Sequence, residues 1–148
     1  MSISRQELCQ LIPHDGAMCL LDGVEHWDDE VIRCWSESHL DHGNPLRGSS
    51  WLPALHALEY GAQAMAVHGG LLAKKRGEKR LPDGYLVAIR NARFHTEFLD
   101  ARSAKLQVEA RRLLAEGGNI IYSIDVSAAG EPIAQARVTV MQQMKENE

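Results

Sequence analysis

The sequence predicts an α+β fold in which a strongly curved antiparallel sheet wraps around one long buried helix. Three observations predict it. Residues 53–75 are apolar or small on nearly every face, and the first five turns carry a single charge, Glu59. A helix that is apolar all round is buried on most sides. From residue 85 onward the chain reads as strand after strand, with alternating apolar positions and glycine-containing turns between them. At 148 residues it is one domain long, enough to bury roughly two-thirds of the surface its unfolded form exposes. The strands therefore have one helix to enclose and nothing else.

The elements follow in order. Ser4-Arg5-Gln6-Glu7 has the form of a capping box, with Ser4 accepting from a first-turn amide while Glu7 reaches back. Leu8, Leu11 and Ile12 share a face of the short helix that follows, and Pro13 stops it. Residues 18–27 and 31–38 read as two strands joined by a turn at Asp28-Asp29. Between 39 and 52 the composition shifts to His, Gly, Asn, Pro, Arg and Ser, the mark of a long functional loop. Pro53 suits the first position of the long helix, where its missing N–H is not needed. That helix spans about 23 residues, or roughly 34 Å. Strands are then expected over 85–90, 92–97, 105–114, 120–127 and 133–141, with turns at Glu116-Gly117-Gly118-Asn119 and Ala129-Gly130-Glu131. Leu106, Val108 and Ala110 share one face, Ile124 and Val126 another, and Ala134, Ala136, Val138 and Val140 a third. Residues 145–148 read as a frayed end.

Composition excludes several classes. A formal net charge of −4 argues against nucleic acid as the main partner. The one basic cluster, Lys74-Lys75-Arg76 with Lys79-Arg80, suits a solvated helix end facing the negative end of the dipole. Its rival use is a landing site for an acidic carrier or a phosphate. Nothing approaches about eighteen consecutive apolar residues, so no membrane span is expected. The polar N-terminus lacks the core of a signal peptide, and the chain reads as cytoplasmic. Cys9, Cys19 and Cys34 are odd in number and lack CxxC spacing, which indicates neither a disulfide framework nor a zinc site.

Particular blocks of residues resemble a known family. Leu11-Ile12-Pro13-His14 followed by Met18-Cys19-Leu20-Leu21-Asp22-Gly23-Val24 resembles the opening of the beta-hydroxyacyl-(acyl carrier protein) dehydratases. The run Leu52-Pro53-Ala54-Leu55 to Glu59-Tyr60-Gly61-Ala62-Gln63-Ala64 is similar to that family's helix start, with the same step of six residues from proline to glutamate. Ala92-Arg93-Phe94-His95 is similar to the family's Ala-Arg-Phe-Lys. The Asn-Pro-Leu-Arg, Leu-Pro-Ala and Glu-Tyr-x-Ala-Gln-Ala variants look closest to the dehydratase-like proteins associated with aryl polyene synthesis. The resemblance implies a hotdog fold and chemistry on acyl thioesters. The family's Gly-His-Phe-Pro-Gly string is absent; in its place stands His39-Leu40-Asp41-His42-Gly43-Asn44-Pro45-Leu46-Arg47-Gly48.

Dehydration of a 3-hydroxyacyl thioester needs a base for the C2 proton, an acid for the departing hydroxyl and donors for the enolate-like oxygen. His42, 17 residues before Glu59, is the expected base, because imidazole titrates near neutral pH. His39 is its nearest substitute. Glu59 is the expected acid, since a carboxyl in an apolar helix environment stays protonated more readily. The amides near Ala54 and Leu55, at the positive end of the helix dipole, are expected to polarise the thioester carbonyl. Gln63, one turn after Glu59, matches a family position that helps to hold the site. The resemblance also implies a dyad shared across a dimer, with histidine from one chain and acid from the other. The implied partners are an acyl carrier protein or coenzyme A thioester and a second hotdog chain, identical or different. No cofactor or metal is called for. Two rival readings stand beside this one: a thioesterase on the same fold, and a non-catalytic hotdog subunit that completes an active paralogue.

Overall fold

The computed structural model describes residues 2–12, 18–48, 51–78 and 84–142. Pro13, His14, Lys79, Arg80 and residues 145–148 lie outside the described residues. The chain runs β1 (Ile3–Ser4), α1 (Arg5–Cys9), β2 (Gly23–Trp27), β3 (Val31–Ser36), α2 (Ala57–Lys75), β4 (Gly84–Phe94), β5 (Leu106–Glu116), β6 (Asn119–Ala128) and β7 (Glu131–Gln142). Single 3₁₀ turns occupy Ser38–Leu40, Ala54–His56 and Leu99–Ala101. Seven strands form one sheet in the order β1-β2-β3-β5-β6-β7-β4, and every neighbouring pair is antiparallel. With α2 packed on β3, β5, β6 and β7, this is the hotdog architecture that the resemblance implies.

The expected inward faces are the observed ones. Leu106, Val108 and Ala110 on β5, Ile124 and Val126 on β6, and Ala134, Ala136 and Val138 on β7 are all buried against the helix. Val140 packs at the rim of the same core. Small residues let α2 approach the sheet closely. A Cβ on Gly61 would overlap Cγ2 and Cδ1 of Ile124 in the middle of β6. Gly61→Ala should therefore cost about 1–3 kcal/mol through overpacking, read as a melting temperature lower by roughly 2–12 °C.

Several element ends differ from the sequence reading: α2 begins at Ala57, after the 3₁₀ turn Ala54–His56, instead of at Pro53, and α1 ends at Cys9, short of Leu11 and Ile12. Three further differences have a local reason. The capping box forms, with Ser4 Oγ accepting from the Glu7 amide at 3.4 Å, but the Glu7 carboxylate bonds the Ser4 hydroxyl (3.2 Å). The first long strand begins at Gly23 instead of residue 18, because side chains take the backbone groups of residues 18–20. Ser36 and Ser38 both donate to the Leu20 carbonyl, at 2.6 and 2.7 Å. The two strands expected over 85–97 are one, β4, bent where its register against β7 shifts between Arg90 and Arg93. Asn91 has φ 54° at that point, a left-handed conformation that asparagine adopts more readily than most residues.

One expectation about the cysteines is corrected. Cys9 and Cys19 are joined by a disulfide, with Cα atoms 5.9 Å apart. Their spacing carries no disulfide signature; α1 and the segment before β2 are brought together by the β1–β2 pairing and by Arg5, which donates to the Cys19 carbonyl at 2.9 Å. Cys34 is buried and free, and burial pushes its thiol up to about 12. At the basic helix end, Lys75 pairs with Asp29 at 2.8 Å and Arg76 with Glu78 at 3.1 Å, both exposed, as a solvated terminus would. Among the described residues, no helix is long and apolar enough to cross a membrane.

The far end of α2 carries a buried histidine whose charge state matters for stability. His68 lies between the Tyr122 hydroxyl (2.5 Å from Nδ1) and the Asp28 carbonyl (2.7 Å from Nε2). The neutral imidazole protonated on Nε2 satisfies both, donating to the carbonyl while accepting from the phenol. Burial lowers its pKa, and it does the same to the fully buried His39. An imidazole with a depressed folded pKa contributes stability that is complete above the unfolded value near 6.5 and is lost as the pH falls toward the folded one. The melting temperature should therefore drop on acidification from pH 7 to pH 5. His68→Gln should be less stable at pH 7 but give a flatter profile by calorimetry.

Candidate functional site

Glu59 lies in the first turn of α2, half-buried, with its Oε1 accepting from Gln63 Nε2 at 3.3 Å. The two share a helix face by their i, i+4 spacing. Gln63 is itself almost fully buried (1% exposed), and its amide is held twice more. Its Oε1 accepts from the Leu20 amide at 2.8 Å, and its Nε2 donates to the Met18 carbonyl at 2.7 Å. The glutamine thus pairs with the backbone on both sides of Cys19, much as a neighbouring strand would. The sequence places Gln63 at a position that helps to hold the site, and its bonds set its side chain beside the Glu59 carboxylate.

The Leu20 carbonyl, in turn, is the end of a second chain of hydrogen bonds. Asn44 Nδ2 donates to the Tyr60 oxygen (3.0 Å), Tyr60 lies 2.7 Å from the Ser38 hydroxyl, and Ser38 donates to Leu20. Tyr60 is wholly buried and Asn44 is 6% exposed. Burial, opposed by the Ser38 and Asn44 hydrogen bonds, holds the phenol above its ordinary pKa, so it stays a donor. This chain ties the 37–48 loop to the helix at the residue beside Glu59. Asn44 and Tyr60 stand in the Asn-Pro-Leu-Arg and Glu-Tyr-x-Ala-Gln-Ala blocks, but their pairing has no signal in the sequence, because side-chain bonds to an irregular loop follow no period.

Arg47 anchors the other side of the loop. Its guanidinium meets Asp100 at 2.6 Å, the His39 carbonyl at 2.8 Å and the Asp41 carbonyl at 3.3 Å. The Arg47 and Asp100 side chains retain only 11% and 12% of their exposure. Burial alone would raise the Asp100 carboxyl, but the Arg47 guanidinium and the Leu52 amide outweigh it and hold the group below its ordinary value. The Arg47 guanidinium is therefore taken up within the chain as an anchor of the loop.

The two histidines separate clearly. His39 is fully buried, with Nε2 on the Arg102 carbonyl at 2.9 Å and Nδ1 without a hydrogen-bond partner among the described residues. His42 is exposed on the loop turn, and no hydrogen bond joins it to Glu59 within the chain. At the helix start, the Ala54 amide is engaged with the Glu97 carbonyl at 2.9 Å, and the His56 amide with Pro53 at 3.1 Å. That leaves the Leu55 amide as the donor that meets no backbone acceptor among the described residues. Trp51, stacked on Phe98 with ring centroids 5.3 Å apart, and the Leu55 side chain expose an apolar rim around it. A cavity of about 950 Å³ opens at the opposite end of α2, between Trp27, Leu71 and Leu11, far along the helix from Glu59.

A family model described as ApeP-like, ApeP dehydratase, matches residues 6–148. Among solved structures, the chain is similar to the dehydratase heterocomplex ApeI:P from Xenorhabdus doucetiae, with 23% identity and a TM-score of 0.81 over 93% of this chain and 91% of that one. It is also similar to a thioesterase from Pseudomonas aeruginosa, with 17% identity and a TM-score of 0.60 over 94% and 93% of the two chains. A hypothetical thioesterase with coenzyme A from Streptococcus pneumoniae gives 12% identity and a TM-score of 0.58 over 84% and 87%. At these identities the structural likeness shows the hotdog fold. No curated protein matches the chain in sequence.

Proposed function

The chain belongs to the ApeP-like dehydratase family, and from that premise we propose that it removes water from a 3-hydroxyacyl thioester borne by an acyl carrier protein or coenzyme A. Glu59 acts as the acid and His42, contributed by a partner hotdog chain, as the base. The observation that carries the proposal is the Glu59 carboxylate, the one acid in the first turn of α2, held by a glutamine that is itself clamped to backbone.

The steps balance as an elimination. His42 takes the C2 proton, and charge accumulates on the thioester oxygen, where the Leu55 amide at the positive end of the α2 dipole stabilises it. Glu59 gives its proton to the C3 hydroxyl, the C3–O bond breaks, and water leaves as the C2–C3 double bond forms. Proton exchange with solvent restores His42 and Glu59, and no cofactor takes part. The thioesterase neighbours do not weigh against this reading, because one fold hosts both reactions.

The partner chain is supported by β4. It is the last strand of the sheet, with its outer side unpaired among the described residues, and it exposes Leu86 (61%), Val87 (56%), Ile89 and Phe94. An apolar, unpaired edge invites a second strand. The Xenorhabdus structure is a heterocomplex, and an assembly of that kind would bring a second 37–48 loop to the site. Leu86→Glu with Val87→Lys should lower the mass found by light scattering to that of the monomer while the circular dichroism stays unchanged. An unchanged mass would exclude β4 as the interface.

The test of the reaction is to incubate the chain with 3-hydroxyacyl and enoyl thioesters, following the absorbance of the conjugated enoyl group together with free thiol. Interconversion without thiol release supports the proposal, and thiol release without interconversion sinks it. A second reading, a non-catalytic subunit completing an active paralogue, is favoured by the exposed His42 and its lack of a bond to Glu59. Interconversion that depends on an added paralogue and survives Glu59→Gln would establish that reading instead.

A further inference from the structure

We propose that the Cys9–Cys19 disulfide is a redox site that sets the position of Glu59 through Gln63. The coupling runs through three adjacent residues. Gln63 binds the Met18 carbonyl and the Leu20 amide, the two backbone groups that flank Cys19, and passes on to Glu59. The Leu20 carbonyl receives the Ser38 end of the chain that starts at Asn44. Residues 18–20 are therefore the junction between the glutamate and the loop that carries His42. No strand ladder holds this junction, since β2 begins only at Gly23. It is held by side chains, by Arg5 on the Cys19 carbonyl (2.9 Å), and covalently by the disulfide to the last residue of α1.

The location of the two sulfurs suits such a role. Cys19 is buried, whereas Cys9 is half-exposed at the end of α1, so an attacking thiolate reaches the bond from the Cys9 side. A dithiol reductant supplies two electrons and two protons, becomes a cyclic disulfide, and leaves thiols at both positions. A disulfide oxidant such as oxidised glutathione takes them back. Where disulfides do occur in reducing compartments, they are mostly transient and redox-sensing. The third cysteine does not compete, because Cys34 is buried and its thiol is pushed up to about 12, which leaves almost no thiolate.

In the oxidised state the tether keeps residues 18–20 against α1, and Gln63 finds both backbone partners in place. Reduction frees the segment to fluctuate, and the Leu20–Gln63–Glu59 geometry loosens with it. The activity arm of this proposal rests on the dehydratase reading, whereas the structural arm does not.

The test uses the full chain carrying Cys34→Ser, oxidised with glutathione disulfide or reduced with dithiothreitol, with thiols located by alkylation and mass spectrometry. The Leu20 amide, which donates to Gln63, should exchange its hydrogen about tenfold faster after reduction, as local opening becomes easier. Cys9→Ser should show the faster exchange in both conditions, and reoxidation should restore protection only where both cysteines are present. On substrate, reduction should lower kcat by roughly fivefold while KM moves little, since the acid is misplaced and not the binding surface. Equal Leu20 protection in the two states, or free thiols at positions 9 and 19 after oxidation, would overturn the proposal. Faster exchange on reduction in a protein without dehydratase activity would leave the coupling standing and refute the reading of the reaction.

Discussion

Replacing Glu59 with glutamine is expected to lower kcat/KM by about 10²–10⁴, the range that a positioned general acid contributes, with the melting temperature nearly unchanged. The substitution keeps the shape of the side chain and its place beside Gln63 Nε2, 3.3 Å from Oε1 in the wild type. It removes only the ability to carry and give a proton to the departing hydroxyl. Because Glu59 is half-buried and not part of the core cluster, the isosteric change opens no cavity. Rate loss with retained fold is the pattern expected of a residue at the reaction. Equal loss of stability and activity would instead mark Glu59 as structural, and unchanged turnover would remove it from the mechanism. The measurement is a pair of Michaelis–Menten curves and a thermal melt on each protein.

Arg47→Ala is expected to have the largest effect on stability, because three acceptors lose their partner at once. Asp100 would keep its charge with only backbone amides, that of Leu52 at 3.3 Å and its own, to stabilise it, and the carbonyls of His39 and Asp41 would lose their donor. Breaking a mostly buried ion pair from one side costs about 3–5 kcal/mol, and the residual exposure of this pair places the expected cost near the lower figure. At roughly 2–4 °C per kcal/mol for a chain of this size, the melting temperature should fall by about 6–12 °C. Activity should fall below what the folded fraction explains, because the loop carrying His42 loses its anchor. Arg47→Lys should recover part of the stability and little of the loop geometry, since an ammonium cannot reproduce the guanidinium fork. The depressed Asp100 carboxyl gives the same pair a pH signature. Its contribution is present above the unfolded carboxylate value near 3.9 and is lost as the pH falls toward the folded value, so the difference between wild type and Arg47→Ala should shrink in acid.

The parts of the fold that the sequence disclosed are those governed by a period. The α2 stretch is apolar on all faces because the sheet surrounds it, and β5, β6 and β7 alternate because one face of each meets that helix. The breaks in this legibility fall where a side chain replaces a backbone partner. Residues 18–20 look like strand, yet Gln63, Ser36 and Ser38 take the Met18 carbonyl and both backbone groups of Leu20. The bend at Asn91 divides one strand into what reads as two. The disulfide escapes because Cys9 and Cys19 are brought together by the short β1–β2 pairing, which two residues cannot announce.

The candidate site was half legible for the same reason. Glu59 declares itself as a lone carboxylate on an apolar helix, six residues after Pro53. Asn44 and Tyr60 sit in motif blocks and Asp100 in none, and for all three the role of holding the loop is visible only in the polar network in three dimensions. The helix amides divide on a detail of tertiary structure, since the Glu97 carbonyl occupies Ala54 and leaves Leu55.

Incubation of an enoyl thioester with the protein in ¹⁸O-labelled water, followed by mass spectrometry of the products, tests the central claim most directly. Run in reverse, the proposed reaction adds water across the double bond. The label is therefore predicted on the C3 hydroxyl of a still intact thioester, and this product is predicted to vanish with Glu59→Gln. Label in a free carboxylate, with the thiol released and no 3-hydroxyacyl thioester formed, would contradict the account.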